Sequence, residues 1–256
     1  MLIVRIVSTT LGLADAALRA AHVRNVLMVE PIGELAKALD ELALKAELGE
    51  PQAREVLMAV VDGLGDPDVS DNIVQQLREE AVGEQLLALD RLLRKPVGPS
   101  RSSRSDRPVR PPDYGFGRPL TLGERKSLAR KPDRAMLERL VNDPHPDVIR
   151  RLLVNPRLTE DDVVRVAAKR PGRSEVLAAI ARAPKWLHRP RIRLALLLNP
   201  DMPLDLAVPI AALLRRNELK LVAEYTYIHA TLRTVCREHY LRRVPLADSS
   251  DDPSFH

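Results

Sequence analysis

His229, Cys236 and His239 come nearest to a chemical site by type and spacing. At i, i+7 and i+10 they share one helical face, and both imidazole and thiolate bind zinc. A zinc shell needs three or four donors, which one helix rarely supplies, and Glu224 is too ambiguous to complete it. A Cys–His nucleophilic pair there has no third group to orient it. Half-buried helix residues are the plainer expectation. Asp143-Pro144-His145-Pro146-Asp147 gathers two carboxylates around an imidazole, a set capable of acid–base work. Asp before Pro and at a helix start is also ordinary capping chemistry, and capping is the expectation here.

No Gly-rich phosphate loop, Gly-x-Ser-x-Gly or His-Glu-x-x-His is present. Scattered residues can still assemble an active site, so the sequence leans away from an enzyme without deciding it. It assigns no catalytic residue, cofactor or metal ligand. The densest basic run is Arg182-Ala183-Pro184-Lys185-Trp186-Leu187-His188-Arg189-Pro190-Arg191-Ile192-Arg193, with the single tryptophan in its middle. Cations for phosphates beside an aromatic for stacking suit nucleic acid. The same run fits a helix turn whose arginines snorkel and whose Trp186 fills a gap between helices. The candidate binding residues are Arg150, Arg151, Arg182, Lys185, Trp186, Arg189, Arg191 and Arg193.

Around these residues the 256-residue chain is uneven in charge. Residues 1–95 carry a net −6, residues 96–119 +3, residues 120–243 +11 and residues 244–256 −3. An acidic half and a basic half are two different electrostatic objects. One cysteine excludes a disulfide framework within the chain and a cluster held by several cysteines. No apolar run approaches the roughly 18–20 residues that span a bilayer. Arg5 interrupts the apolar start where a secretory signal would be uninterrupted, so a reducing cytoplasm is expected.

The organisation reads as an acidic helical domain over 1–95, a linker over 96–118, a basic helical domain over 119–243 and a disordered tail over 244–256. The linker has too few apolar residues to offset the entropy of ordering. Arg101-Ser102-Ser103-Arg104-Ser105 and Pro108-Val109-Arg110-Pro111 fit a phosphorylation target and a polyproline-II ligand, and spacer is the simpler reading. Tyr114 and Phe116 are expected to dock the linker on the second domain.

In the first half Ile32, Leu35, Ala36, Leu39 and Ala43 form one apolar stripe, and Ala53, Val56, Leu57, Val60 and Leu64 the next. Pro51 suits a helix start, Ser70 or Asp71 a cap, and Gly63, Gly65 and Gly83 breaks. Roughly five helices are expected. In the second half prolines recur mostly every ten to fifteen residues, leaving room for short helices with Pro in the first turn. Thr121-x-x-Glu124 and Thr159-x-x-Asp162 read as capping boxes. Aromatics at 3% and frequent proline argue against strands, so the fold class is all-α.

The second half also repeats itself. Leu152-Leu153-Val154-Asn155-Pro156 returns as Leu196-Leu197-Leu198-Asn199-Pro200, with looser copies ending at Pro144 and Pro184. A left-handed Asn followed by Pro is expected to end each helix. This pattern resembles bacterial leucine-rich-repeat-variant proteins and the broader HEAT-like helical repeats over about residues 119–215. The resemblance implies a right-handed α-solenoid whose concave face binds protein or nucleic acid. Some members carry an Fe–S cluster on amino-terminal cysteines, and no matching cysteines are present here. The expected function is a cytoplasmic interaction scaffold that binds a protein partner through the basic face. Nucleic-acid binding is the alternative, as in HEAT-like alkylpurine DNA glycosylases, although one Trp and two Phe poorly match their aromatic-lined cleft. An anionic membrane surface is a third possible partner.

Overall fold

The computed structural model describes residues 2–96, 110–131 and 133–243. The phosphorylation-type run, most of the proposed linker and the tail lie outside the described residues. Sixteen helices and no strand make up the described residues, so the chain is all-α. No helix is long and apolar enough to cross a membrane among the described residues.

Six helices form the first half: α1 (Leu2–Gly12), α2 (Ala16–Val29), α3 (Ile32–Glu47), α4 (Pro51–Leu64), α5 (Asp71–Gly83) and α6 (Leu87–Leu93). The stripe of α3 is buried at Leu35, Ala36, Leu39, Leu42, Ala43 and Ala46, and α3 packs on α4, α5 and α6. Each fully buried Leu contributes about 1.5–3 kcal/mol relative to exposure, enough to hold helices of modest propensity together. Asp15 and Ser70 accept backbone N–H groups at the starts of α2 and α5. Leu86 cannot cap α6, and Asp40 of α3 does so instead, accepting from Ala88 N (2.8 Å) and Leu89 N (2.9 Å). The apolar start of the chain is a helix, making six where about five were expected.

The second half comprises α7 (Leu122–Leu128), α8 (Arg134–Leu140), α9 (Pro146–Leu153), α10 (Glu160–Ala168), α11 (Ser174–Ala181), α12 (Pro184–Leu187), α13 (Pro190–Leu197), α14 (Leu204–Ala211), α15 (Arg216–Glu224) and α16 (Ala230–Arg242). Pro146, Pro184 and Pro190 occupy first turns, as their missing N–H favours. Pro209 lies inside α14 instead. Both capping boxes close, at Thr121–Glu124 and Thr159–Asp162. Successive odd-numbered helices touch from α7 through α9, α11 and α13 to α15.

The Asn-Pro motifs work differently from the left-handed stop expected of them. Gln85 alone among the described non-glycine residues has a positive φ. Asn155 instead donates from Nδ2 to Ala129 O (2.8 Å) and Lys131 O (3.0 Å), while its Oδ1 accepts from Arg157 N (2.9 Å). Asn199 repeats this with Ala167 O (2.7 Å), Lys169 O (3.0 Å) and Asp201 N (3.0 Å). Each amide thus satisfies carbonyls left open where a preceding helix ends.

The two halves pack together. Buried apolar side chains from Ile3 to Cys236 form one connected cluster, with α6 against α14 and α2 against α12. Arg94 pairs with Glu238 at 2.8 Å. Glu47, 4% exposed, holds Arg91 through two hydrogen bonds (2.9 and 2.7 Å) and lies 3.1 Å from His239 Nδ1. Burial pushes the Glu47 carboxyl up, but His239 and Arg91 override it and hold the group at about 2. Burial pushes the His239 imidazole down, against Glu47 and with help from Arg243 and Arg91.

Candidate functional site

The helix carrying His229, Cys236 and His239 uses each residue for packing or capping. His229 caps α16, its Nδ1 accepting from Thr231 N at 3.2 Å. Cys236 and His239 are buried, and burial raises the Cys236 thiol to about 12. In the Asp-Pro-His-Pro-Asp turn, His145 Nδ1 accepts from Asp147 N (3.2 Å) to cap α9. Asp143 is buried beneath Arg125 Nη1 (2.7 Å) and the Tyr114 hydroxyl, and it accepts from His145 N (2.8 Å). Burial first, and then Asp143, push the Tyr114 hydroxyl well above its usual range. Tyr114 therefore docks its segment on the second half, whereas Phe116 is exposed.

The basic candidates divide into separate groups. Arg150, Arg182, Lys185 and Trp186 line one groove of about 620 Å³, between the end of α9 and the short α12. Pro184 starts α12 and the turn ends at Leu187, so Lys185 and Trp186 face back toward α9. Trp186 is buried, its Nε1 donating to Leu153 O at 2.7 Å, and Lys185 Nζ sits 4.7 Å from the ring centroid. Beside them Val154, the C-cap of α9, is 72% exposed. Arg182 Nε donates to Gly65 O (2.8 Å), which brings Pro67 of the first half to the groove. Arg150 is paired with Asp147. Among the described residues the lining holds three cations and no carboxylate around an apolar floor.

The remaining four candidates lie elsewhere. Arg189 and Arg191 reach α10, at 4.0 Å from Glu160 and 2.8 Å from Asp161. Arg151 is exposed on α9 outside the groove lining. Arg193 is buried and donates to Leu187 O at 2.8 Å. Two other arginines of the basic half pair with nearby acids, Arg165 with Asp162 on α10 and Arg173, the N-cap of α11, with Glu175. Sequence reasoning missed Val154, whose exposure is set by its place at a helix end, and Pro67, which reaches the groove from the first half. The recurrence of Leu152-Leu153-Val154-Asn155-Pro156 as Leu196-Leu197-Leu198-Asn199-Pro200 is the one local signal at Val154.

No protein-family model, curated protein or solved structure matches the chain. The chain is an all-α protein with a groove of mixed apolar and cationic surface.

Proposed function

We propose that the chain is a cytoplasmic helical-repeat interaction protein, and that its groove takes an acidic amphipathic segment of a protein partner. The observation that carries this reading is Val154, an exposed apolar residue among Arg150, Arg182 and Lys185 with no lining carboxylate among the described residues. Apolar side chains of a partner would cover the floor while its carboxylates meet the rim, where charge sets orientation and encounter rate. The successive contacts of odd-numbered helices and the repeated asparagine bonding support a repeat array. Protein contact is favoured over nucleic acid because Trp186, the aromatic that would stack on bases, is already occupied by Leu153 O and Lys185.

A labelled Glu/Leu-rich amphipathic helix tests this by fluorescence anisotropy, beside single-stranded and duplex DNA at two salt concentrations. Peptide binding that persists in salt and is lost in R150E/K185E is the expected result. Salt-sensitive DNA binding with no peptide binding would overturn it.

A further inference from the structure

A second cavity, of about 370 Å³, lies between the halves, walled by α4 on one side and by α13 and the ends of α14 and α16 on the other. Its size is at the small end of ligand pockets, which span about 300–1,000 Å³. Five arginines line it: Arg19, Arg54, Arg193, Arg215 and Arg243, together with His188. Among the described residues the only lining acids are Glu55 and Asp62. Glu55 is engaged by Arg19, and Asp62 lies 2.9 Å from His188 Nε2. Arg54, Arg193, Arg215 and Arg243 have no carboxylate ion-pair partner among the described residues.

Main-chain carbonyls position these cations without neutralising them. Arg54 Nε donates to Ala46 O (3.1 Å), Arg193 Nη1 to Leu187 O (2.8 Å) and Arg243 Nη2 to Ala212 O. Arg193 and Arg243 are 5% and 6% exposed, and the Nε of each is buried with no hydrogen-bond partner. The nearby acids are committed elsewhere: Glu47 to Arg91 and His239, Glu218 to the backbone N–H of Arg215 (2.7 Å). Burial pushes both guanidinium groups down, Arg243 to about 10, and guanidinium groups in proteins stay charged at neutral pH. Repulsion from Arg54 adds to the effect at Arg243, and repulsion from Arg215 adds to it at Arg193, while Glu218 opposes it at both, with Asp62 at Arg193 and Glu47 at Arg243. Buried, unpaired charge is costly, and an anion relieves it.

We propose that this cavity is a binding site for a small phosphate-bearing anion, with Arg54, Arg193, Arg215 and Arg243 as its donors. Guanidinium groups match phosphate oxygens with paired N–H donors, and four of them around one small volume suit a dianion better than a carboxylate. The site is separate from the groove at Trp186, and neither reading depends on the other.

Calorimetric titration and thermal unfolding of the full chain with inorganic phosphate test it, against sodium chloride at matched ionic strength. Phosphate is expected to bind and to raise Tm beyond the chloride control. R54Q/R215Q, at the exposed edge, is expected to weaken phosphate by at least about tenfold while folding as the parent does. The exposed R237Q, outside the cavity, leaves binding unchanged. AMP binding more tightly than phosphate would assign the site to a phosphomonoester, and equal affinity to the free oxyanion. A Tm that follows ionic strength alone, or R54Q/R215Q that binds phosphate like the parent, would overturn the proposal.

Discussion

Asn155 and Asn199, 44 residues apart, each bond two main-chain carbonyls near the end of a preceding helix and one main-chain N–H two residues on. A primary amide donates twice and accepts at once, and no carboxylate or hydroxyl matches that set. Replacing either by Ala leaves the carbonyls open and is expected to cost about 1–3 kcal/mol in urea unfolding. N155D is expected to cost more than N155A, because it sets a carboxylate against Ala129 O and Lys131 O. Equal stability of N155D and the parent would remove the assigned bonding.

Asp143 occupies the matching place in a looser copy with the opposite demand. Its oxygens receive Arg125, the Tyr114 hydroxyl and His145 N. D143N keeps the shape but leaves the buried Arg125 charge without its counterion, an error of about 3–5 kcal/mol. The same Asn that serves at 155 is thus expected to fail at 143, as chemical denaturation will show.

Glu47 and His239 give the stability a defined pH dependence. His239 lies below its ordinary value of 6.5 when folded, so its contribution is present above that value and is lost as pH falls. Glu47 is depressed from 4.5 to about 2, so its contribution is present above 4.5 and disappears on further acidification. Tm is expected to slope down below about pH 6.5 and more steeply below about 4.5. In E47Q the steeper limb flattens. An unchanged acid limb in that variant would place the loss elsewhere.

The groove carries the only tryptophan, which makes occupancy visible without a label. An acidic amphipathic peptide is expected to shift Trp186 emission and to lose affinity by about tenfold or more in V154D, where a carboxylate replaces apolar contact. Peptide binding untouched by V154D would locate the contact off the groove.

The helices were readable wherever a local rule governed them. The stripe from Ile32, the caps at Ser70, Thr121 and Thr159, and the first-turn prolines each follow from spacing within a few residues. Glu47 was not readable, since a Glu at the end of an amphipathic helix looks solvated until Arg91 and His239 arrive from distant positions. The asparagine motif was visible as a recurrence, but its chemistry was not, because its partners lie on an earlier helix. Trp186 fitted base stacking and gap filling equally well by composition, and only burial separates the two. Three of the seven candidate cations fell together with Trp186 because α12 folds back on α9, a turn too short to show a periodicity.

Gly65, just past α4, holds Arg182 at the rim of the groove, and Asp62, one turn earlier, holds His188 at the wall of the cavity. One narrow seam of helix ends therefore borders both openings. The two hydrogen bonds at the end of α4 thus fix one residue of each mouth, Arg182 at the groove and His188 at the cavity.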